Sequence, residues 1–323
     1  MGRLRHAVEV DVSAAVPLPG RHVVRGSLIA PMAPVEPFVW CCLPGGQCTT
    51  GYFDLAVDGD DSSYSMAAHL ADAGCTVLTV DHLGTGASSR TGDEFLLTPE
   101  IIAAADHAAI TELLGRLRIG SLAPQLAPIG PLVPIGLGHS MGGLLTVLQQ
   151  ACHGTYDAVV NLGAAGAGLP EYLRDPAWAT ADPGAVRATL TELARAQFGA
   201  PSAAAARGSG RALRFHADDV PAAVRAAYRR QTTNVLPACA LAAILPSFAD
   251  PETAALTVPV FLGFGEYDLC TDPHDCVRRY RSCPDITLTV LAGSGHCHNQ
   301  AGNRRQLWDR LLAWARSVPP AAR

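Results

Sequence analysis

The sequence of 323 residues has no run of like charge and no basic stripe: 24 Lys and Arg stand against 29 Asp and Glu, a net charge of −5. Nucleic acid binding needs a concentrated positive face, so this balance argues against a nucleic acid partner. No segment approaches the roughly 18 uninterrupted apolar residues of a membrane span. The opening MGRLRHAVEVDVSAAVPLPG scatters charges where a signal peptide needs an apolar centre. The expectation is a soluble, cytoplasmic protein with no membrane partner. Ten cysteines are sparse for this length and follow no small-domain framework. Cys270, Cys276, Cys283 and Cys297 contain no C-x-x-C pair, so free thiols are expected rather than a zinc site. No cofactor is expected, and no internal repeat is present. What these absences leave is a small neutral or amphipathic molecule as the partner.

What is present is hydrophobic material for a large core, 49% of the chain. One α/β core with a sizeable insertion fits this length. From residue 38 onward, short apolar runs alternate with helical patterns, the signature of a parallel sheet covered by helices on both faces. FVWCCL (Phe38 to Leu43), CTVLTVD (Cys75 to Asp81), LVPIGL (Leu132 to Leu137) and DAVVNLG (Asp157 to Gly163) read as buried strands. Between them lie the helical patterns SYSMAAHLADAG, EIIAAADHAAITELLGRLR behind Pro99, and Met141 to Cys152. The rhythm then stops for about 95 residues. AVRATLTELARAQF, VPAAVRAAYRRQT and LPACALAAIL are helical there, and no strand is convincing. It resumes with VPVFLGFG, a helix, ITLTVL and the closing helix NRRQLWDRLLAWARS. The period-two segments HAVEVDV and HVVRGSLIA predict an antiparallel hairpin on the sheet edge.

The stretch GLGHSMGG lies between a strand and a helix. As a dinucleotide fingerprint it fails, because Met141 stands where the third glycine belongs and no acidic residue closes a following strand. As a P-loop it fails for want of Gly-Lys-Ser/Thr. Gly138-His139-Ser140-Met141-Gly142 fits G-x-S-x-G at every position. That motif puts its serine on a strained strand-to-helix turn, with glycines on either side because side chains there would collide. The Ser140 hydroxyl is then raised above the sheet, and the Met141 N–H points into the same space at a helix N-terminus. A serine needs a base, and the base an orienting acid. Asp268, in GEYD after the strand VPVFLGFG, is the candidate acid, with Glu266 its neighbouring competitor. His296 and His298, in LAGSGHCHNQ after the last strand, are the candidate bases.

GHSMGG, DHLGTGASS (Asp81 to Ser89), GEYD and SGH together resemble the α/β-hydrolase fold, over roughly residues 20–163 and 257–317. The resemblance implies a mostly parallel central sheet flanked by helices, with a helical cap inserted between strands 6 and 7. The implied division is a core of residues 1–163 and 258–323 and a cap of residues 164–257. It implies a Ser, Asp, His order of catalytic residues and favours His296 as the base through the family's G-x-x-H ending. It also implies that the loop after FVWCCL gives a second oxyanion donor beside Met141. Many members have His-Gly there; this chain has Pro44-Gly45-Gly46-Gln47, so register points to the Gly46 N–H, with Gln47 the neighbouring possibility. Tyr52 and Asp54, just downstream, either reach the site or lock the loop. Gln47, His139 and His298 are candidate substrate contacts. His82 and His107 read as structural or solvent-facing.

The expected activity is that of a serine hydrolase cleaving an ester, thioester or lactone through an acyl-enzyme on Ser140. A non-hydrolytic lyase, acyl transferase or cyclase on the same fold is the alternative, and a binding protein without catalysis a third. The serine argues against the dehalogenase and epoxide-hydrolase branches, which use aspartate. In the cap, Tyr172, Trp178, Phe215 and Phe248 suggest an apolar pocket of moderate size. Arg187, Arg195, Arg207, Arg211 and Arg214 read as a solvated helix face, with a substrate carboxylate or phosphopantetheine tail as the other reading.

Overall fold

The computed structural model describes residues 2–59, 61–199, 215–216 and 218–318. At one edge β1 (Arg3–Asp11) and β2 (Val23–Pro31) pair antiparallel. Their period-two alternation buries Val8 and Val10 and leaves Glu9 and Asp11 exposed. There follow β3 (Phe38–Leu43), a short ribbon of β4 (Asp54–Leu55) and β5 (Tyr64–Ser65), α1 (Met66–Asp72) and β6 (Thr76–Asp81). Then come α2 (Pro99–Arg118), β7 (Val133–His139), α3 (Met141–His153) and β8 (Ala158–Leu162). Among the described residues, the α-helices α4 (Pro183–Ala188), α5 (Leu190–Phe198), α6 (Ala222–Arg230), α7 (Pro237–Ile244) and α8 (Asp250–Ala255) separate β8 from the next strand. The chain closes with β9 (Val260–Gly265), α9 (Pro273–Arg279), β10 (Ile286–Leu291) and α10 (Arg304–Ala315).

Eight strands form one sheet in the order β1-β2-β6-β3-β7-β8-β9-β10, parallel from β6 to β10. Every residue of β3, β6, β7, β8 and β9 is buried, and strands covered on both faces read as continuous apolar runs. Pro134 is tolerated in β7 because it precedes Ile135, where the ladder with β8 begins. The Thr98 side chain caps α2 with Pro99 in its first turn, as the sequence predicts. The inserted helices lie between the sixth and seventh strands of the sheet. Leu190, Ala194, Leu241 and Leu245 pack there with Ala103 of α2 and Leu148 of α3.

Three local features differ from expectation. The single helix predicted over AVRATLTELARAQF is two, broken at Thr189, whose hydroxyl bonds back to the Ala185 carbonyl. The β4–β5 ribbon and α8 escape a reading by periodicity because each is too short to show a period. Among the described residues, no helix is long and apolar enough to cross a membrane.

Candidate active site

Ser140 stands between β7 and α3 with φ 54° and ψ −121°, in the left-handed region that a non-glycine residue occupies only under constraint. The constraint is visible around it. The Ser140 N–H donates to the Leu162 carbonyl at 2.7 Å, and its carbonyl accepts from Gly143 and Leu144. A Cβ on Gly138 would lie 2.2 Å from the Gly142 oxygen, and one on Gly142 would lie 2.2 Å from the Leu43 oxygen. Only glycine fits at either position. The Met141 N–H begins α3 and has no partner within the helix.

Asp268 follows β9 and receives four hydrogen bonds. His296 Nδ1 and the Leu269 N–H meet Oδ1 at 2.6 and 2.7 Å; His298 Nε2 and the Gly265 N–H meet Oδ2 at 2.7 and 3.1 Å. Burial alone raises the pKa of this carboxyl, but the two imidazoles outweigh it and hold it well below the usual carboxylate range. Glu266, the competing acid, is exposed and accepts the Gly293 N–H instead. His296 therefore turns Nδ1 to the acid and keeps Nε2 for another group. Among the described residues no direct hydrogen bond joins Ser140 Oγ to His296; such bonds are often long without substrate.

Two of the candidate substrate contacts are placed differently. His298 is buried behind Asp268 with Nδ1 unpartnered, because its ring is spent on the second carboxylate oxygen. His139 is buried beneath the site: its Nε2 bonds the His296 carbonyl at 3.0 Å and its ring stacks on Tyr52 at 4.0 Å. Burial, then the neighbouring His296 and His298, push its pKa well below the usual histidine value, so it is neutral. Gln47 alone of the three is exposed. Its φ is 61°, and its carbonyl accepts from Thr233 of the inserted segment at 3.0 Å. Tyr52 thus reaches the underside of the site, while Asp54 locks its loop by bonding Ser65 and Arg5.

The loop after β3 closes over the serine. A Cβ on Gly45 would lie 3.1 Å from Ser140 Cβ, and one on Gly46 would lie 3.9 Å from Met141 Sδ. Neither the Gly46 nor the Met141 N–H has a hydrogen-bond partner among the described residues. Sequence reasoning missed what fixes this loop. His82 is buried, with Nδ1 2.7 Å from Asp106 Oδ2 and Nε2 2.9 Å from the Pro44 carbonyl. The available signal was Asp106 itself, a charge on the buried stripe of α2 formed by Ile102, Ala105, Ala109 and Ile110.

A cavity of about 100 Å³ opens beside Ser140, lined by Leu144, Ala164, Leu169, Ile244 and Phe248. Arg279 at its wall is held by Asp275 and Asp250, so it presents no unbalanced charge. Of the aromatic residues expected here, Phe248 lines the cavity, whereas Phe215 is half exposed with its ring edge-on to His296 at 5.7 Å. Arg187 pairs with Glu252 and Arg195 with Asp93; Arg207, Arg211 and Arg214 lie outside the described residues. A larger groove of about 1000 Å³ runs between β1 and residues 54–74, remote from Ser140 and occupied by paired Arg and Asp side chains. Among the described residues, no group of three His, Cys, Asp or Glu side chains is arranged to hold a metal ion.

Solved structures share this architecture over nearly the whole chain. An esterase from Thermogutta terrifontis is 16% identical with a TM-score of 0.62, covering 97% of this chain and 99% of that one. A proline iminopeptidase from Mycobacterium smegmatis is 15% identical with a TM-score of 0.61, covering 97% and 98%. A monoacylglycerol lipase from Paleococcus ferrophilus is 17% identical with a TM-score of 0.60, covering 99% and 100%. At these identities the likeness shows the fold. No curated protein matches the sequence. The model of the alpha/beta hydrolase family matches residues 42–307, most of the chain, and the protein belongs to that family.

Proposed function

We propose that the protein is a serine hydrolase that cleaves an ester, thioester or lactone of a small to medium apolar substrate through an acyl-enzyme on Ser140. The observation that carries this reading is the pairing of a serine on a left-handed strand-to-helix turn with a buried His296–Asp268 bond of 2.6 Å. His296 Nε2 takes the Ser140 proton as Oγ attacks the carbonyl carbon. The N–H groups of Met141 and Gly46 receive the developing oxyanion, each donor being worth on the order of 3 kcal/mol in the barrier. His296 then protonates the leaving group, and water attacks the acyl-enzyme with His296 again as base. Asp268 stays ionised and holds the ring in the tautomer that leaves Nε2 bare.

The cavity supports an apolar acyl group, since its lining is mainly aliphatic and aromatic and the Arg279 guanidinium at its wall is already neutralised. The inserted segment would act as the lid that selects it. The esterase, iminopeptidase and lipase structures support acyl-group hydrolysis as the reaction class. The test is turnover of short p-nitrophenyl esters and thioesters. Ser140→Ala should lose on the order of 10⁴-fold or more in kcat, and full activity in that variant would overturn the reading. Running the reaction in ¹⁸O water separates the alternatives: label in the acid product supports hydrolysis, and its absence favours a lyase, transferase or cyclase.

A further inference from the structure

The loop that carries Gly46 begins Pro44-Gly45-Gly46, a sequence with almost nothing to hold. Proline has no N–H, and two glycines have no side chains to pack. Backbone carbonyls are the handles that remain: Gly45 accepts the Cys48 N–H within the loop, and the Pro44 carbonyl is gripped from outside it. His82, 1% exposed, brings Nε2 within 2.9 Å of that oxygen while Nδ1 lies 2.7 Å from Asp106, itself fully buried. A carbonyl only accepts, so Nε2 carries a hydrogen; the Asp106 carboxylate holds a second on Nδ1. The preceding residue secures the loop further along, with Asp81 Oδ1 accepting the Thr50 N–H at 2.8 Å.

We propose that the His82–Asp106 pair is the positioning device of the oxyanion loop, fixing the Pro44 carbonyl and through it the direction of the Gly46 N–H. This rests on the acyl-enzyme reading given above. Its consequence is a second titration in the site. Burial works against the charge on His82, but Asp106 outweighs it and raises the pKa above the usual histidine value. The groups around the pair are Asp81, which precedes His82 at the end of β6, Tyr156 before β8 and Cys239 of α7, with Cys41 of β3 beside Tyr156 and Glu100 of α2 beside Cys239. Burial pushes the two thiols and the phenol upward. His82 is therefore the member of this cluster whose discharge lies above the usual histidine value. The contribution of its charge is complete below about pH 6.5 and is lost as pH rises through the raised value. The remaining hydrogen stays on Nδ1, donated to the Asp106 carboxylate, leaving a bare Nε2 facing the Pro44 oxygen.

The experiment measures kcat and KM on p-nitrophenyl butyrate from pH 6 to 10, corrected for spontaneous hydrolysis. His82→Leu should lose roughly 10- to 100-fold in kcat with KM within about threefold, as for a misplaced oxyanion donor. His82→Gln, whose amide reaches the Nε2 position, should recover most of that loss; His82→Asn, whose amide reaches only toward Asp106, should not. The wild type should lose kcat on the alkaline side, and Asp106→Asn should abolish that loss by letting a neutral His82 keep its proton on Nε2. Equal behaviour of the Gln and Asn variants, or an unchanged alkaline limb in Asp106→Asn, would overturn the proposal. If His82→Leu does not fold, ¹⁵N NMR of the wild type decides. Hydrogens on both His82 ring nitrogens near pH 6 support it, and a single one contradicts it. Activity surviving in Ser140→Ala would instead defeat the underlying reading, so the two failures are distinct.

Discussion

Asp268 holds two imidazoles, one on each carboxylate oxygen, and the two rings are not equivalent. His296 bonds Asp268 with Nδ1 and keeps Nε2 without a hydrogen-bond partner among the described residues, whereas His298 donates with Nε2 and leaves Nδ1 buried and unpartnered. His298 thus spends its one hydrogen bond on the acid and serves as a fixed donor to Asp268 Oδ2. His298→Phe should therefore remove a brace from the proposed acid, Asp268, without removing the proposed base, His296. The expected result is a drop in kcat of about tenfold and a loss of about 1–3 kcal/mol in stability, with His298→Gln recovering part of both; steady-state kinetics and urea unfolding check it. Two histidines two residues apart on one loop both have the reach of a triad base. The sequence could rank them only by likeness to a family ending, while their separation in role depends on which ring faces which oxygen.

The elbow shows how an element fixes a residue. Gly138 and Gly142 are forced by backbone oxygens 2.2 Å from where a side chain would begin. Gly142→Ala would press on the carbonyls of Leu43 and Pro44 together, displacing the start of the proposed oxyanion loop. It should cost about 2–4 kcal/mol and lower kcat with it; thermal melts and turnover read the two effects separately. This element was legible because glycine, serine and glycine at fixed spacing express a steric need directly. The parallel strands were legible for a similar reason, since burial on both faces leaves an unbroken apolar run. The loop anchor was not. Pro44 stands where many family members have histidine, and the imidazole that meets its carbonyl comes from His82, 38 residues along the chain. The break at Thr189 was equally hidden, for one hydroxyl bond decides it.

Across the whole molecule, the proposed acid Asp268 also bears on acid stability. Asp268 is held well below the usual carboxylate range in the folded state, whereas in the unfolded chain it titrates near pH 3.9. Below that pH the unfolded state binds the extra proton, so the stability Asp268 contributes is present above about pH 4 and is lost as pH falls through its depressed value. Urea unfolding should give a free energy that declines from pH 5 to pH 3, with a shallower decline in Asp268→Asn. Equal slopes would show that other carboxylates set the acid limit. At this scale the α/β layering and the place of the insertion were read from the interrupted strand rhythm. An apolar pocket was expected from the cap aromatics, but the neutralisation of Arg279 by Asp250 and Asp275 was not legible, because it arises from side chains of α8 and α9 meeting in space.

The central claim is a covalent intermediate on Ser140. It is tested most directly by quenching the reaction with an activated short-chain ester in acid and locating the added mass by peptide mass spectrometry. The account predicts one acyl group per chain, on the peptide containing Ser140, absent from Ser140→Ala and longer-lived in His296→Ala than its slow formation would suggest. Turnover in the wild type with no acylated peptide, or an acyl group on another residue that persists in Ser140→Ala, would contradict it.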